Sequence, residues 1–368
     1  MRILITGAKG FVGKNVVANL LTLKDVEVFQ YDLDCTEKQL ADWTGKCDFV
    51  IHLAGVNRPK DESEFRTGNT DFTAHLLLLL DRNPVPVAMT SSIQAVLDNP
   101  YGNSKLAAEE EMFSYAARNH VPVYVWRMPN IFGKWCRPNY NSAVATFCYN
   151  IANEKDVYIS DPDKVMTLIY IDDVVDLLIS AVYGKITVGT DGFCVPEPVH
   201  KITLGQIVDT LREFHRCKDL LKMDNLTGVR KCLYSTYLSY LPEDRFSYPL
   251  TVHSDARGLF AEFFKTGSEG QFSVSTTAPG ITRGNHWHNT KVEKFLVVSG
   301  EADLCFRKIG TDKVIRYHVR GTEPTVVDIP VGYTHNIVNT SKTETLVTII
   351  WANELFDPEH PDTYYEEV

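Results

Sequence analysis

Three histidines and one glutamate stand at spacings that suit a metal: His286 and His288 in Gly284-Asn285-His286-Trp287-His288, then Glu293, and His335 further on. Two imidazoles two positions apart on a strand point to the same side. A carboxylate five residues later and a third imidazole from a distant strand can close a cavity around one cation. Such a donor set suits Zn, Fe, Mn or Ni, and the spacing does not choose among them. Near the other end of the chain, Tyr101 and Lys105 are one helical turn apart and share a face. An ammonium beside a phenol stabilises the phenolate, which lowers the tyrosine pKa and lets it exchange a proton with a substrate oxygen. A third group, Gly7, Gly10 and Gly13 in Thr6-Gly7-Ala8-Lys9-Gly10-Phe11-Val12-Gly13, lies between a strand and a helix. There the first glycine allows a tight turn, the second a close approach to a pyrophosphate and the third close helix–strand packing. The helix N-terminus, opening at Phe11 and Val12, offers free N–H groups to the anion.

The elements that must hold these residues follow from periodicity. Arg2–Thr6 reads as a strand and Gly10–Leu21 as a helix with apolar Val12, Val16, Val17, Leu20 and Leu21. Val26–Tyr31, Phe49–Leu53, Val85–Met89 and Val121–Trp126 continue the strands, with helical patterns at Asp71–Leu80 and Ser104–Ala117 between them. Further helices are expected at Ala143–Asn153, Asp172–Val182 and Leu204–His215. This alternation predicts an α/β fold, a Rossmann-type doubly wound parallel sheet with helices on both faces. Asp32 closes the second strand, where a carboxylate can accept from a ribose diol and repel a 2′-phosphate, favouring NADH; Asp34 beside it leaves that assignment open.

After about Leu241 the pattern changes. Pro242–Pro249 is rich in turn formers, and from Leu250 short strands follow one another without helices, as at Phe272–Thr276, Lys294–Val298, Ala302–Arg307, Val314–Val319, Thr325–Ile329 and Leu346–Trp351. That predicts a small all-β sandwich or barrel. The expected domains are therefore residues 1–243 and residues 244–368.

The bulk composition narrows the function. A formal charge of -10 argues against nucleic acid as a partner. No stretch approaches the roughly 20 apolar residues a membrane span needs, and the start of the chain lacks the regions of a signal peptide. Eight cysteines without a CxxC pair read as buried thiols in a reducing cytoplasm.

The first half resembles the extended short-chain dehydrogenases/reductases. Besides the glycine spacing, His52-Leu53-Ala54-Gly55 is similar to the family segment beside the cofactor, Asn69 to its helix-stabilising asparagine, Arg127-x-x-Asn130-x-x-Gly133 to its later loop and Tyr170-Ile171-Asp172-Asp173-Val174 to its later helix start. The resemblance implies a nicotinamide cofactor touching Leu53, Ala54, Gly55 and Lys105, and hydride transfer assisted by Tyr101, Lys105 and a hydroxyl donor. Ser92 takes that last role, with Ser91 as the alternative. Only nine positions separate Ser92 from Tyr101, a short loop that leaves the substrate side open. Lys134, Trp135, Arg137 and Asn139, with Asn130, are then candidates for gripping substrate.

The second half resembles the cupins. Gly280-x5-His286-x-His288-x4-Glu293-x6-Gly300 is similar to the first cupin motif, and Pro330-x-Gly332-x2-His335-x3-Asn339 to the later part of the second, whose opening glycine is replaced by Pro324. An all-β cupin (jelly-roll) barrel is implied. Asp255-x-Arg257-Gly258 and Arg283-Gly284-Asn285-His286 also resemble the cupin-fold epimerases of deoxy-4-keto sugar nucleotides, which implies substrate contacts from Arg257 and Arg283. In those epimerases the corresponding histidine is a base; here His286 reads as a ligand, leaving Tyr333, His253 or Lys294 for proton transfer.

Residues 98–105, 132–142, 146–152 and 293–300 extend the resemblance over the whole chain, to capsule-biosynthesis enzymes in which a short-chain reductase is fused to a cupin. This implies a cytoplasmic, zinc-containing homodimer acting on a UDP-linked 4-keto deoxy amino sugar. Its cupin would epimerise C3 of UDP-2-acetamido-2,6-dideoxy-4-hexulose, and its reductase would reduce C4 with NADPH to UDP-N-acetyl-L-talosamine, on the route to UDP-N-acetyl-L-fucosamine for capsule or surface polysaccharide. NADPH follows from the resemblance, whereas Asp32 speaks for NADH. The alternative expectation is a single-activity 4-keto reductase of the dTDP-rhamnose type, with a cupin serving only in dimerisation. A non-enzymatic sensor is disfavoured because Tyr101 and Lys105 are both present.

Overall fold

The computed structural model describes residues 1–368, Lys218 by its backbone alone. The chain divides into two compact units, Met1–Arg212 with Thr227–Pro242, and Glu213–Leu226 with Glu243–Val368. The inclusion of Glu213–Leu226 in the second unit has a local cause. Met223 N–H donates to the Lys265 carbonyl (2.9 Å) and Lys265 N–H to that of Leu221 (2.7 Å).

The first unit is built on five strands, β1 (Arg2–Thr6), β2 (Glu27–Tyr31), β3 (Phe49–His52), β4 (Val87–Ser92) and β5 (Val123–Met128). They pair in parallel in the order β2-β1-β3-β4-β5. Alternation along the strands separates two cores. Ile3, Ile5, Ile51 and Trp126 pack with helices Phe11–Leu20 and Ile171–Val182 on one face. Leu4, Val50, Val87 and Val125 pack with helices Glu37–Thr44, Phe72–Leu80 and Pro100–Asn119 on the other. Each fully buried aliphatic side chain contributes about 1.5–3 kcal/mol, so both faces hold the sheet and the doubly wound architecture follows.

β4 and β5 start and end later than their apolar runs suggest. Pro86 and Pro122 have no N–H for the ladder, and their carbonyls only accept, from Val50 and Val87. At the other end the polar Thr90-Ser91-Ser92 pair with Trp126-Arg127-Met128, which carries Ser92 to the tip of β4. A small sheet of Asn130–Phe132, Val165–Tyr170 and His200–Thr203, and the helix Gly228–Leu238, complete this unit; neither was expected.

The second unit is antiparallel β. One sheet runs Val326–Ile329, Glu293–Ser299, Leu346–Ala352, Gly270–Thr277, Gly258–Thr266 and His253–Asp255; the other runs Val314–Arg320, Glu301–Lys308, Tyr333–Asn339, Thr282–Trp287 and Tyr364–Tyr365. Phe295, Val297, Ile329 and Leu346 from the first meet Leu304, Phe306 and Ile337 from the second in one core. This is the all-β, cupin-like region expected. Among the described residues, no helix is long and apolar enough to cross a membrane.

Candidate active site and metal centre

The glycine loop joins β1 to the helix Phe11–Leu20. Gly7 has φ +70°, and a Cβ on Gly13 would lie 2.1 Å from the Gly7 carbonyl oxygen and 2.8 Å from Ala8 Cα. Only hydrogen fits there. Gly10 caps the helix with an extended backbone, and its N–H donates to the Gly7 carbonyl (3.0 Å). Asp32 stands beside this loop, its carboxylate accepting from the N–H of Lys9 (2.7 Å) and of Leu33 (2.8 Å), while Lys9 Nζ pairs with Asp34. Leu53, Ala54 and Gly55 leave β3 directly opposite, since a Cβ on Gly7 would meet Leu53 and Ala54 backbone at 2.8 and 2.7 Å.

A buried relay sets this wall. Thr73 donates its hydroxyl proton to the Asn69 carbonyl and so accepts from His52 Nε2–H (2.8 Å); His52 Nδ1 then accepts from the Thr6 hydroxyl (2.7 Å). Burial, with Lys105 nearby, pushes the His52 imidazole down to about 3, so it stays neutral. Asn69 accepts from Val56 N–H (2.8 Å) and donates to the Val56 carbonyl (3.1 Å) and Ser104 Oγ (3.0 Å), tying the loop after β3 to helix Pro100–Asn119.

That helix presents Tyr101 and Lys105. Asn99 caps it, accepting from Gly102 N–H (2.8 Å), with Pro100 in the first turn. A Cβ on Gly102 would fall 2.3 Å from the Leu97 carbonyl oxygen and 2.5 Å from that of Gln94; this close approach is what permits the short connection from Ser92. Lys105 Nζ donates to the Thr90 carbonyl (3.0 Å), next to the β4 tip. Burial pushes the Lys105 ammonium down to about 8, with Glu109 acting upward. Burial also raises the Tyr101 phenol, a hydrogen bond with Ser92 opposing it. The lowering of the phenol expected from spacing is therefore not seen: burial outweighs the Ser92 bond, and Lys105 is not among the groups acting on Tyr101. One helical turn further, buried Glu109 accepts from the Ser91 hydroxyl and from Arg127 Nη2 (2.6 Å) and Nε (3.1 Å). Sequence reasoning missed Glu109, although its i+4 spacing from Lys105 was a usable signal.

In the second unit the ligand atoms of His286, His288, Glu293 and His335 all lie within 4.8 Å of one another. His286 and His335 face each other across the ladder, beside a bulge between Gly284 and His286. Their rings are 4.6 Å apart and His286–His288 4.9 Å. His288 sits just beyond the strand end at Trp287, not within it; Glu293 opens the next strand. His288 Nδ1 bonds the Asp362 carbonyl, which fixes Nδ1 as the protonated nitrogen and turns a lone pair on Nε2 toward Glu293, 3.4 Å away. His335 Nε2 is 3.3 Å from the same carboxylate. Among the described residues, His288 Nε2, Glu293 Oε2 and both ring nitrogens of fully buried His335 have no hydrogen-bond partner. Orphaned buried polar atoms are costly, and a divalent cation of the zinc class can take the lone pairs of His288 Nε2, Glu293 Oε2 and His335 Nε2, the nitrogen that faces Glu293; the residues fit the group. Burial raises the Glu293 carboxyl, but His288 and His335 outweigh it and hold it well below the usual carboxylate range. Burial, then His335 and His288, push the His286 imidazole down to about 4.

The remaining candidates are spread around these sites. Asn130 lies exposed at the start of its strand, its side chain donating to the Thr167 carbonyl (3.4 Å). Arg137 stacks on Tyr140 (5.2 Å), and Asn139 adopts φ +56° with its N–H on Thr146. Lys134 pairs with Asp172. Arg257 pairs with Asp255 (2.6 Å), and Arg283 donates to the Leu259 and Thr276 carbonyls (3.0 and 2.8 Å). Of the proton-transfer candidates, Lys294 points to the face opposite Glu293 and pairs with Asp328. His253 is exposed on the outermost strand. Tyr333 shares its strand and face with His335.

Across 367 residues, 99% of this chain and 98% of the relative, the sequence is 44% identical to UDP-2-acetamido-2,6-beta-L-arabino-hexul-4-ose reductase of Pseudomonas aeruginosa. The chain belongs to this reductase family. Residues 3–184 match the NAD dependent epimerase/dehydratase family and residues 253–364 the polysaccharide biosynthesis C-terminal domain. The crystal structure of capsular polysaccharide assembling protein CapF from Staphylococcus aureus is 49% identical with a TM-score of 0.94, covering all of both chains. UDP-glucuronic acid 4-epimerase from Bacillus cereus, 17% identical over 65% of this chain and 96% of its own (TM-score 0.55), shares the fold of the first unit. As a member of the reductase family, the chain is a nicotinamide-dependent enzyme of sugar-nucleotide chemistry, on the Rossmann and cupin-like architecture described above.

Proposed function

We propose that this enzyme carries out two consecutive steps on UDP-2-acetamido-2,6-dideoxy-4-hexulose: inversion at C3 in the cupin unit, then NADPH-dependent reduction at C4 to UDP-N-acetyl-L-talosamine, on the way to UDP-N-acetyl-L-fucosamine. The observation that carries this reading is the clustered His286–His288–Glu293–His335 group with its unpartnered buried atoms, in the same chain as Tyr101 and Lys105.

When bound, a divalent cation held by those four side chains, zinc in this reading, supplies Lewis-acid stabilisation of negative charge on the C4 oxygen, and a nicotinamide seated on Gly7, Gly10 and Gly13 supplies hydride. The C3 proton of a 4-keto sugar is acidic because the adjacent carbonyl accepts the charge as an enolate. His286, held neutral, serves as ligand, which leaves Tyr333, on the same face as His335, to move the C3 proton. A proton delivered from solvent on the opposite face inverts the centre, and Tyr333 passes the proton it took to solvent. Arg257 and Arg283 bear positive charge on the substrate side. In the reductase unit Tyr101 delivers its phenolic proton to the C4 oxygen, Ser92 donates a hydrogen bond to that oxygen, and the Lys105 ammonium favours the phenolate left behind. In this reading Asn130, Arg137 and Asn139 contact the substrate. Asp32 is the physical argument for NADH, its carboxylate accepting from the Lys9 and Leu33 N–H groups beside the glycine loop; NADPH is the cofactor in this reading. The reading includes a cytoplasmic homodimer.

The test is the 4-keto UDP-sugar in deuterated water with NADPH or NADH. Deuterium at C3 together with cofactor oxidation is expected, and His288→Ala or Glu293→Ala should abolish exchange. Oxidation without exchange in the wild-type enzyme overturns the epimerase half.

A further inference from the structure

Residues 362–366 are bound to the segment that carries the candidate metal ligands. The Asp362 carboxylate accepts from three successive backbone N–H groups, Asn289 (2.9 Å), Thr290 (2.8 Å) and Lys291 (3.0 Å), and from the Thr290 hydroxyl (3.2 Å). Its carbonyl takes the Nδ1 proton of His288. Two residues on, Tyr364 and Tyr365 pair with Trp287 and His286, and the Tyr364 ring stacks on Trp287 at 4.8 Å. Glu366 N–H donates to the Asn285 carbonyl (3.0 Å), its own carbonyl accepts from the Thr334 hydroxyl beside His335, and its carboxylate takes Arg307 (2.7 Å). Residues 362–366 thus engage the backbone or neighbours of three of the four ligands.

We propose that Asp362 is a positioning residue of the metal centre and that the strand-forming tail 362–366 is the outer half of that centre. The proposal rests on the metal reading above. A ligating imidazole needs its second nitrogen fixed, and the partner of that N–H sets ring orientation and basicity. Here one residue does both jobs. The Asp362 carbonyl selects the tautomer of His288, and the carboxylate freezes the turn 289–291 that leads to Glu293. The chain between His288 and Glu293 contains no regular element, so without Asp362 it must be ordered when the cation binds, at a cost in affinity.

The test measures zinc and cobalt(II) affinity of the full chain by chelator competition, with the cobalt absorption spectrum as a report on ligand geometry. Asp362→Ala is expected to weaken binding about 10- to 100-fold and to alter the cobalt spectrum. Asp362→Asn, which keeps one acceptor oxygen and the side-chain shape, should recover part of the affinity; it carries the same measurement if alanine is not tolerated. His360→Ala, in the same tail but outside these bonds, should bind as wild type. Wild-type affinity and spectrum in both Asp362 variants overturn the proposal, even if the metal-free chain melts lower, because a merely structural residue would do only that. A wild-type chain that binds neither metal defeats the metal reading itself and is a separate outcome.

Discussion

In the proposed mechanism, removing the Tyr101 hydroxyl takes away the proton for the C4 oxygen, and Tyr101 lies outside the second unit. Tyr101→Phe is expected to slow ketone reduction by about 10²–10⁴-fold, with deuterium exchange at C3 unchanged; NADPH oxidation and mass spectrometry read the two separately. The reaction should also feel Lys105. Its ammonium is held at about 8 by burial, so kcat/KM for reduction should decline as pH rises through about 8. Glu109 acts upward on that value, and Glu109→Gln should move the decline to lower pH. The linkage to stability runs the other way. The folded chain releases this proton at a lower pH than the ordinary lysine value of 10.5, so the cost of burying the ammonium is present below about 8 and fades as pH rises from there toward 10.5. Activity falls over a range in which this residue's contribution to stability improves. The same Glu109→Gln change weakens a charged bond to Arg127, costing roughly 2 kcal/mol, which thermal melting would show.

At the scale of elements, close backbone approach shapes the glycine loop. A methyl group on Gly13 would sit 2.1 Å from the Gly7 carbonyl oxygen. Gly13→Ala should cost about 1–3 kcal/mol through overpacking and weaken nicotinamide binding at least tenfold by titration calorimetry. What was legible in the sequence has this local character. The glycine loop, the Tyr101–Lys105 turn and the pleat relating His286 to its neighbours are spacings within one element, where helix and strand periods speak directly. The parallel sheet and the β-rich half were readable because their apolar runs are long. The strand Asn130–Phe132 has three residues, too few for a period to register. Ser92 reached the tip of β4 through backbone pairing of a polar run that apolar patterning stops short of. The Asp362 contacts join residues 71 to 74 positions apart, across a Pro- and Asp-rich tail that reads as loop. Tertiary docking of that kind leaves no mark in a window of sequence.

For the whole molecule, each set of candidate site residues lies within one compact unit. Ser92, Tyr101, Lys105 and the glycine loop belong to Met1–Arg212; His286, His288, Glu293 and His335 belong to Glu243–Val368. Because each unit has its own core, loss of one site should leave the other intact. Metal present at a thousand times its Kd stabilises the state that binds it by about 4 kcal/mol, so a chelator should lower the melting of the second unit and leave NADPH affinity unchanged. The same separation governs turnover. On the proposed route, a Tyr101→Phe chain should epimerise without reducing, and a His335→Ala chain should reduce only what has been epimerised. Neither should form product alone from the 4-keto UDP-sugar. Mixed in equal amounts they should form it after a lag, since the keto sugar released by one chain is the substrate of the other. The lag should shorten as total enzyme rises, because it is the time needed to build up a diffusing intermediate. Product appearing without a lag would mean that the keto sugar passes between sites without release, and no product at all would mean that the two steps require both intact sites in one chain.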